Sequence, residues 1–233
     1  MHSIYNKSAE DMSEVRSNSV NLIVASTPYN DGTVYGQFVD KTSLEQYCQM
    51  MERVIAECAR VLHPEGRLII EVADTAIVQG HFVQLAALWQ QAALRSQLHL
   101  SERHINFVQT HKGNEDATHG DGFISPPVTA ELDETHSNSC QWLVFTKKSS
   151  EFLGGNIYYQ NYVYDLEEHH CPYTDEFCRT FFEIGHFKSG DTVLEVFMGT
   201  ATLGLHVLER EGIYIGYEID SIIFARAQQR LAR

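Results

Sequence analysis

Asp191-Thr192-Val193-Leu194-Glu195-Val196, followed by Phe197-Met198-Gly199-Thr200-Ala201, is the stretch that decides the fold. Its first half is a short apolar, β-branched run, the pattern of a buried strand. Its second half is a turn of small residues. From Thr202 to Glu211 a helical pattern follows, stopped by Gly212, and Ile213-Tyr214-Ile215-Gly216-Tyr217-Glu218 makes a second strand. A strand that turns sharply into a helix gathers backbone N–H groups and the positive end of the helix dipole at one point. Glycine is needed where a ligand meets the main chain closely. Glu218 ends the next strand, where an acid can bind both ribose hydroxyls of an adenosine-containing cofactor. The same pattern also fits an ordinary tight turn of a Rossmann-like domain.

Working outward, a final amphipathic helix runs from Ser221 to the end. Upstream, Phe177, Phe181 and Ile184 mark a helix near Asp175–His186, and Gln141 to Thr146 reads as a strand. Gly113 to Ser139 is polar and aperiodic, as a functional loop or a disordered insert would be. Before it, a strand near Arg103–Gln109 follows a helix predicted over Phe82 to Leu94, with Phe82, Leu85, Leu88, Trp89 and Ala92 on its apolar side. Arg67 to Val72 is a strand. The helix before it has Thr42 or Ser43 as cap, with Leu44, Tyr47, Met51, Val54, Cys58 and Val61 on one face. Pro64-Glu65-Gly66 is expected to end that helix. Val20 to Ala25 is a buried strand, and Ser3–Tyr5 opens the chain. The count is seven strands in an α/β domain, joined by right-handed crossovers.

A second loop of interest, Ser26-Thr27-Pro28-Tyr29, lies at the carboxyl end of the Val20–Ala25 strand, where open α/β sheets place ligands. Its chemistry suits an amino group on a base. Such a nitrogen is a poor nucleophile because its lone pair is delocalised into the ring. The Ser26 hydroxyl and the Thr27 carbonyl offer two acceptors for its hydrogens. Tyr29 can stack on the base face, a contact worth about 1–3 kcal/mol. A methyl group would then pass to the held nitrogen with no covalent enzyme intermediate, and positioning provides much of the catalysis. A base inside a duplex must first be flipped out. A proline-tyrosine turn packing on the core is the plain alternative.

Bulk properties bound these readings. The chain has 233 residues, 43% hydrophobic and 21% charged, an ordinary globular balance. No apolar run reaches membrane-span length, and Met1-His2-Ser3-Ile4-Tyr5 lacks the blocks of a secretory signal, so a cytoplasmic protein is expected. Five scattered cysteines are no disulfide framework. His169-His170-Cys171 with Cys178 lacks the second ligand pair that zinc needs, so no metal is expected. The net charge of -14 disfavours simple nucleic-acid binding. Arg95, Arg103, Lys112, Lys147 and Lys148 read either as a local basic rim or as a solvated face.

Together the two loops resemble the β-class, circularly permuted amino-methyltransferases of DNA. These carry a Ser/Asp/Asn-Pro-Pro-Tyr motif before their cofactor motif, and Ser26-Thr27-Pro28-Tyr29 precedes the Glu195–Thr202 turn here. Arg60-Val61-Leu62-His63-Pro64-Glu65-Gly66 is similar to the family's Arg-Val-Leu-Lys-Pro-Gly-Gly turn. Gln141 to Lys147 is similar to its late strand. Gly190 to Thr202 is similar to Gly-Asp-x-Val-Leu-Asp-Pro-Phe-x-Gly-Ser-Gly-Thr, and Ile215-Gly216-Tyr217-Glu218 to Ile-Gly-x-Glu. The likeness spans nearly the whole chain.

The resemblance implies a Rossmann-like, mostly parallel seven-stranded sheet with one antiparallel strand, in permuted order. It implies S-adenosyl-L-methionine as cofactor and DNA, with the target base flipped out, as partner. A homodimer or a partner subunit is a further option. Ser26, Thr27, Pro28 and Tyr29 map to the catalytic motif. Glu195, Phe197, Gly199, Thr200, Ala201 and Thr202 map to the cofactor turn, Glu218 to the ribose-binding acid, and Asp175 to the helix over the methionine end. Residues 1–112 form a catalytic-motif half, 113–140 a loop insertion for target recognition, and 141–233 the cofactor half. Serine in the first motif position goes mostly with cytosine N4, aspartate with adenine N6. Thr27 departs from the family's first proline, Glu195-Val196 from Asp-Pro, and Ala201 from its second glycine. These departures leave open a catalytically degenerate homologue that acts as a binding or partner subunit.

Overall fold

The structure is a computed structural model and describes residues 1–110, 139–149, 151–162 and 173–232. Along the chain the elements are β1 (His2–Tyr5), β2 (Val20–Ser26), β3 (Val34–Tyr35), β4 (Phe38–Val39), α1 (Leu44–Val61), β5 (Leu62–Ala73), β6 (Ala76–Val78), β7 (His81–Val83), α2 (Leu85–Arg95), β8 (His99–Thr110), β9 (Ser139–Thr146), β10 (Ile157–Tyr162), α3 (Asp175–Ile184), β11 (Thr192–Glu195), α4 (Thr202–Glu209), β12 (Ile213–Tyr217) and α5 (Ser221–Leu231).

The main sheet runs β1-β12-β11-β2-β5-β9-β8-β10. Only β9 opposes both its neighbours; the other pairings are parallel. The expected mostly parallel α/β sheet with one reversed strand is therefore present. Edge strand β10 adds an eighth member, in a Tyr-rich segment whose alternation is too weak to read.

The order reverses between β11 and β2. From β11 the chain crosses through α4 to β12, and from β2 it crosses through α1 to β5, in opposite directions. The two crossovers therefore cover opposite faces. One face packs Ile23 and Ala25 of β2, Leu68 and Ile70 of β5 and Leu194 of β11 against Tyr47, Met51, Val54 and Cys58 of α1 and Trp89 of α2. The other packs Leu22, Val24, Ile69 and Val193 against Phe177 and Phe181 of α3, Leu203 and Val207 of α4 and Ala227 and Leu231 of α5. Strands covered on both sides must be apolar at every position, which is why β2 reads as an unbroken run. Each such buried aliphatic side chain contributes about 1.5–3 kcal/mol.

Local signals fix the ends of α1. Ser43 accepts from the Gln46 amide, and the Gln46 side chain returns to the Ser43 amide, a complete capping box. The helix then passes straight into β5 at Leu62. The His63–Gly66 segment forms an irregularity within that strand, where the register shifts between Val20 and Leu22, so the helix ends before Pro64. The helix predicted from Phe82 starts instead at Leu85. Gln79 and Gly80 both take positive φ, 53° and 78°, and fold Ala76–Val83 into a hairpin. Phe82 is left 70% exposed on that hairpin.

Candidate active site

The two sequence-selected turns open on the same edge of the sheet. β2 and β11 are neighbours in parallel register, with Leu194 opposite Ile23 and Glu195 opposite Val24. The Val196 amide continues the ladder to the Val24 carbonyl at 3.0 Å. Ser26-Thr27-Pro28-Tyr29 and Phe197–Thr202 therefore leave adjacent strands at their carboxyl ends, at the point where strand order reverses. Crevices of open α/β sheets form there.

The first turn is held from three sides. Thr27 is 5% exposed, and its amide donates to the Glu71 carbonyl at 3.0 Å. A proline at this position has no such donor. The Pro28 carbonyl accepts from the Tyr47 hydroxyl at 2.6 Å, and Tyr47 in turn accepts from the Trp89 indole N–H at 3.0 Å. Trp89 also meets the Phe197 ring edge-on, with centroids 6.4 Å apart. One aromatic relay thus joins the Pro28 turn to the Phe197 turn. Sequence reading placed Tyr47 and Trp89 only on apolar helix faces. Their buried polar tips, which need partners, were the signal that more was at stake.

Tyr29 reaches sideways, its hydroxyl 3.5 Å from Cys140 Sγ at the start of β9. Burial, then Cys140 and Glu71, push its phenol well above the ordinary range. Glu71 lies directly opposite Ser26 in the β2–β5 ladder and is fully buried. Tyr173, just before α3, is held neutral by burial and by the nearby Glu71 and Glu195 carboxyls, with Ser26 beside its hydroxyl. Glu71 and Tyr173 are functional candidates that the sequence did not reveal. Each becomes visible only when three strands and α3 are assembled.

The second turn is tight. Gly199 takes φ 51°, and Ala201 takes φ 59° as N-cap of α4. A left-handed alanine costs about 1–2 kcal/mol. Its methyl is fully buried in the cluster beneath α3, α4 and α5, so it packs into the core. The Gly199 amide donates to Glu218 Oε2 at 3.1 Å, and Glu218 Oε1 accepts from the Asp220 amide at 2.8 Å. Glu195 lies below the turn, 1% exposed, and accepts from the Tyr214 hydroxyl at 2.5 Å. Tyr214 can pass there because its ring lies where a Cβ on Gly204 would be, 2.6 Å from that point. Burial and the proximity of Glu218 push Glu195 up to about 8, while burial pushes Glu218 up to about 7.

The structure brings Ser26, Thr27, Pro28, Tyr29, Phe197, Gly199, Thr200, Ala201, Thr202, Glu195 and Glu218 to one edge. Asp175 is engaged elsewhere: its side chain is 80% exposed and faces His206 of α4 at 3.1 Å. Of the cations considered as a basic rim, Arg95, Lys147 and Lys148 lie away from this edge. Lys147 donates to Asn18 and Lys148 pairs with Glu65 at the opposite edge, because reversed β9 ends there. Arg95, at the far end of α2, pairs with Glu52 at 2.7 Å. Lys112 and the residue 169–171 part of the considered metal cluster lie outside the described residues, and Cys178 is buried in α3. Among the described residues no helix is long and apolar enough to cross a membrane.

A family model described as DNA methylase matches residues 20–114. The DNA adenine methyltransferase YhdJ of Escherichia coli (strain K12) is 22% identical over 98% of this chain and 81% of its own length. The type II methyltransferase M.HpaI of Haemophilus parainfluenzae is 34% identical over 25% of this chain and 19% of its own. Among solved structures, TTHA0409 of Thermus thermophilus, assigned as a DNA modification methylase and complexed with S-adenosyl-L-methionine, has a TM-score of 0.69 at 20% identity. That match covers 100% of this chain and 94% of that one. The PvuII DNA methyltransferase (cytosine-N4-specific) has a TM-score of 0.68 at 14% identity, covering 98% and 86%. These structures share the fold.

Two outcomes follow from the geometry. Tyr47→Phe leaves the Pro28 carbonyl and the Trp89 N–H without their partner, and urea unfolding should register a loss of about 1–3 kcal/mol; an unchanged midpoint would show the relay to be dispensable. Glu195 and Glu218 hold protons more tightly folded than unfolded. The stability they contribute is full below the ordinary value of 4.5 and is lost as pH rises through about 8. Glu195→Gln keeps an acceptor for Tyr214 but cannot ionise, so its thermal midpoint should decline less across that window. Equal declines in the two proteins would place the titration elsewhere.

Proposed function

We propose that the chain is an amino-methyltransferase of DNA and that it transfers a methyl group from S-adenosylmethionine to the exocyclic amino nitrogen of a DNA base, with cytosine N4 as the target. The observation that carries this reading is the side-by-side placement of the Ser26–Tyr29 turn and the Phe197–Thr202 turn at the reversal of strand order.

The residues fit the cofactor. Each Glu218 oxygen accepts one backbone N–H, and a carboxylate oxygen has room for more, so Glu218 can also take ribose hydroxyls. Gly199, Thr200 and Thr202 offer main chain at the turn, and Phe197 a half-buried ring at its rim. The bound cofactor supplies an electrophilic methyl group on a sulfonium centre. Ser26 and the Thr27 carbonyl accept hydrogen bonds from the target amine and orient its lone pair. Pro28, fixed through Tyr47, holds those acceptors in place, and Tyr29 provides a stacking surface for the flipped-out base. The helix α3 is assigned to cover the methionine end, while the Asp175 side chain at its start is turned to His206.

Two of the three departures that raised the degenerate alternative have structural accommodations. Thr27 replaces a ring constraint with a hydrogen bond from its amide to the Glu71 carbonyl, and the Ala201 methyl is absorbed by the core. Both support an active enzyme. We assign target capture to residues 1–112 with a recognition loop at 113–140, and cofactor binding to 141–233.

The test is methyl transfer from labelled S-adenosylmethionine to DNA, with nucleosides resolved by mass spectrometry. N4-methylcytosine is expected; N6-methyladenine would move the target while leaving the reaction. Tyr29→Ala should lower turnover by about a hundredfold or more while calorimetric cofactor binding persists. Glu218→Ala should instead weaken that binding. Wild-type protein that binds cofactor yet never labels DNA would overturn the assignment.

A further inference from the structure

The segment between Tyr29 and α1 is fastened at both ends. At its neck, the Asn30 amide donates to Asp40 Oδ2 at 2.7 Å and the Thr42 amide to Asn30 Oδ1 at 2.7 Å. Asn30 Nδ2 reaches the Thr42 carbonyl at 3.0 Å, and the Gly32 amide reaches the Asp40 carbonyl at 2.7 Å. Between neck and tip the chain forms the β3–β4 hairpin. At its tip, the amides of Gln37 and Phe38 donate to Asp220 Oδ2 at 2.6 and 3.1 Å.

The neck follows the Ser26–Tyr29 turn at the end of β2, and the tip rests on Asp220, three residues beyond β12. In the sheet, β11 lies between those two strands. The strap must therefore pass the carboxyl end of β11, where the Phe197–Ala201 turn begins. Two strand spacings are about 9.6 Å. Six residues extend to about 20 Å, so Asn30 to Gly36 spans the gap with slack.

Asp220 divides its work between its two oxygens. Oδ1 accepts from Ile222 and Ile223 at 2.9 and 3.0 Å and caps α5. Oδ2 holds the strap alone. The Asp220 amide meanwhile donates to Glu218 Oε1. Gly36, at φ 58°, lets the strap come this close: a Cβ there would overlap Asp220 Oδ1. One residue thus connects the strap after the Tyr29 motif to the acid at the end of β12.

We propose that Asp220 is a positioning residue that fastens residues 30–42 across the mouth of the cofactor cleft and thereby sets how long the cofactor stays bound. The inference rests on the cofactor reading given above. Two variants release the strap by different routes. Asp220→Asn keeps an oxygen to cap α5 but turns an amide N–H₂ toward two N–H donors. Gly36→Ala keeps the Asp220 carboxylate itself and sets a methyl group against it at a positive φ, so the tip and the carboxylate are pushed apart sterically. It also covers the case in which the new amide of Asp220→Asn turns its oxygen to the strap and uncaps α5, which a lower thermal midpoint would reveal.

Hydrogen exchange at the Gln37 and Phe38 amides, read by NMR on the cofactor-free protein, reports whether the strap is released. Stopped-flow dissociation of S-adenosylmethionine and the split between its KM and kcat report the consequence. Losing charge-assisted hydrogen bonds should speed both exchange and dissociation about tenfold, with the loss falling on cofactor KM. Unchanged exchange in both variants would show that Asp220 does not hold the strap. Released amides with unchanged cofactor dissociation would overturn the proposal alone. Wild-type protein that binds no cofactor would overturn the reading beneath it, and the proposal with it.

Discussion

The Tyr47 hydroxyl is the point on which the site depends. It donates to the Pro28 carbonyl and accepts from Trp89, so one buried oxygen ties α1, α2 and the Ser26–Tyr29 turn together. Buried hydroxyls and indoles are costly unless satisfied, and here each satisfies the next. Trp89 extends the constraint to Phe197 through a ring contact. Two turns that share no covalent neighbourhood are thus held at a set distance by side chains from the two helices on one face of the sheet.

The opposite face contributes chemistry of a different kind. Ser26, Glu71 and Glu195 lie near the carboxyl ends of neighbouring strands, on the face that packs against α3 and α4, where Tyr173 before α3 and Tyr214 of β12 supply phenols. Glu195 in this layer is removed from water and holds its proton tightly. That arrangement costs stability at alkaline pH and keeps the acid available as a hydrogen-bonding group. The edge of the sheet is therefore rigid on the aromatic side and protonation-sensitive on the acidic side.

Much of this was legible in the sequence because it is local. The β11–turn–α4–β12 unit, the apolar run of β2 and the Ser43 cap each declare themselves within a dozen residues. The relay through Tyr47 and Trp89 does not, since it depends on where two helices settle relative to a turn. The β3–β4 and β6–β7 hairpins were missed for a related reason. Their strands are two or three residues long, and the second turns through Gln79-Gly80, a pair with little signature of its own. The place of Lys147 and Lys148, read either as a basic rim or as a solvated face, was not legible either. One reversed strand carries them to the edge farthest from Ser26, and nothing in a run of charges says which end of a sheet it will occupy.

Thr27 shows how a turn can be fixed by the main chain itself. Its amide continues the β2–β5 ladder one step past Ser26. A proline there would supply a stiff ring in place of that hydrogen bond. Introducing a proline, a common route to stiffer loops, would be counterproductive at this site: it strips the Glu71 carbonyl of its donor in a buried place. The two solutions are alternatives, and a chain that has adopted one is not improved by half of the other.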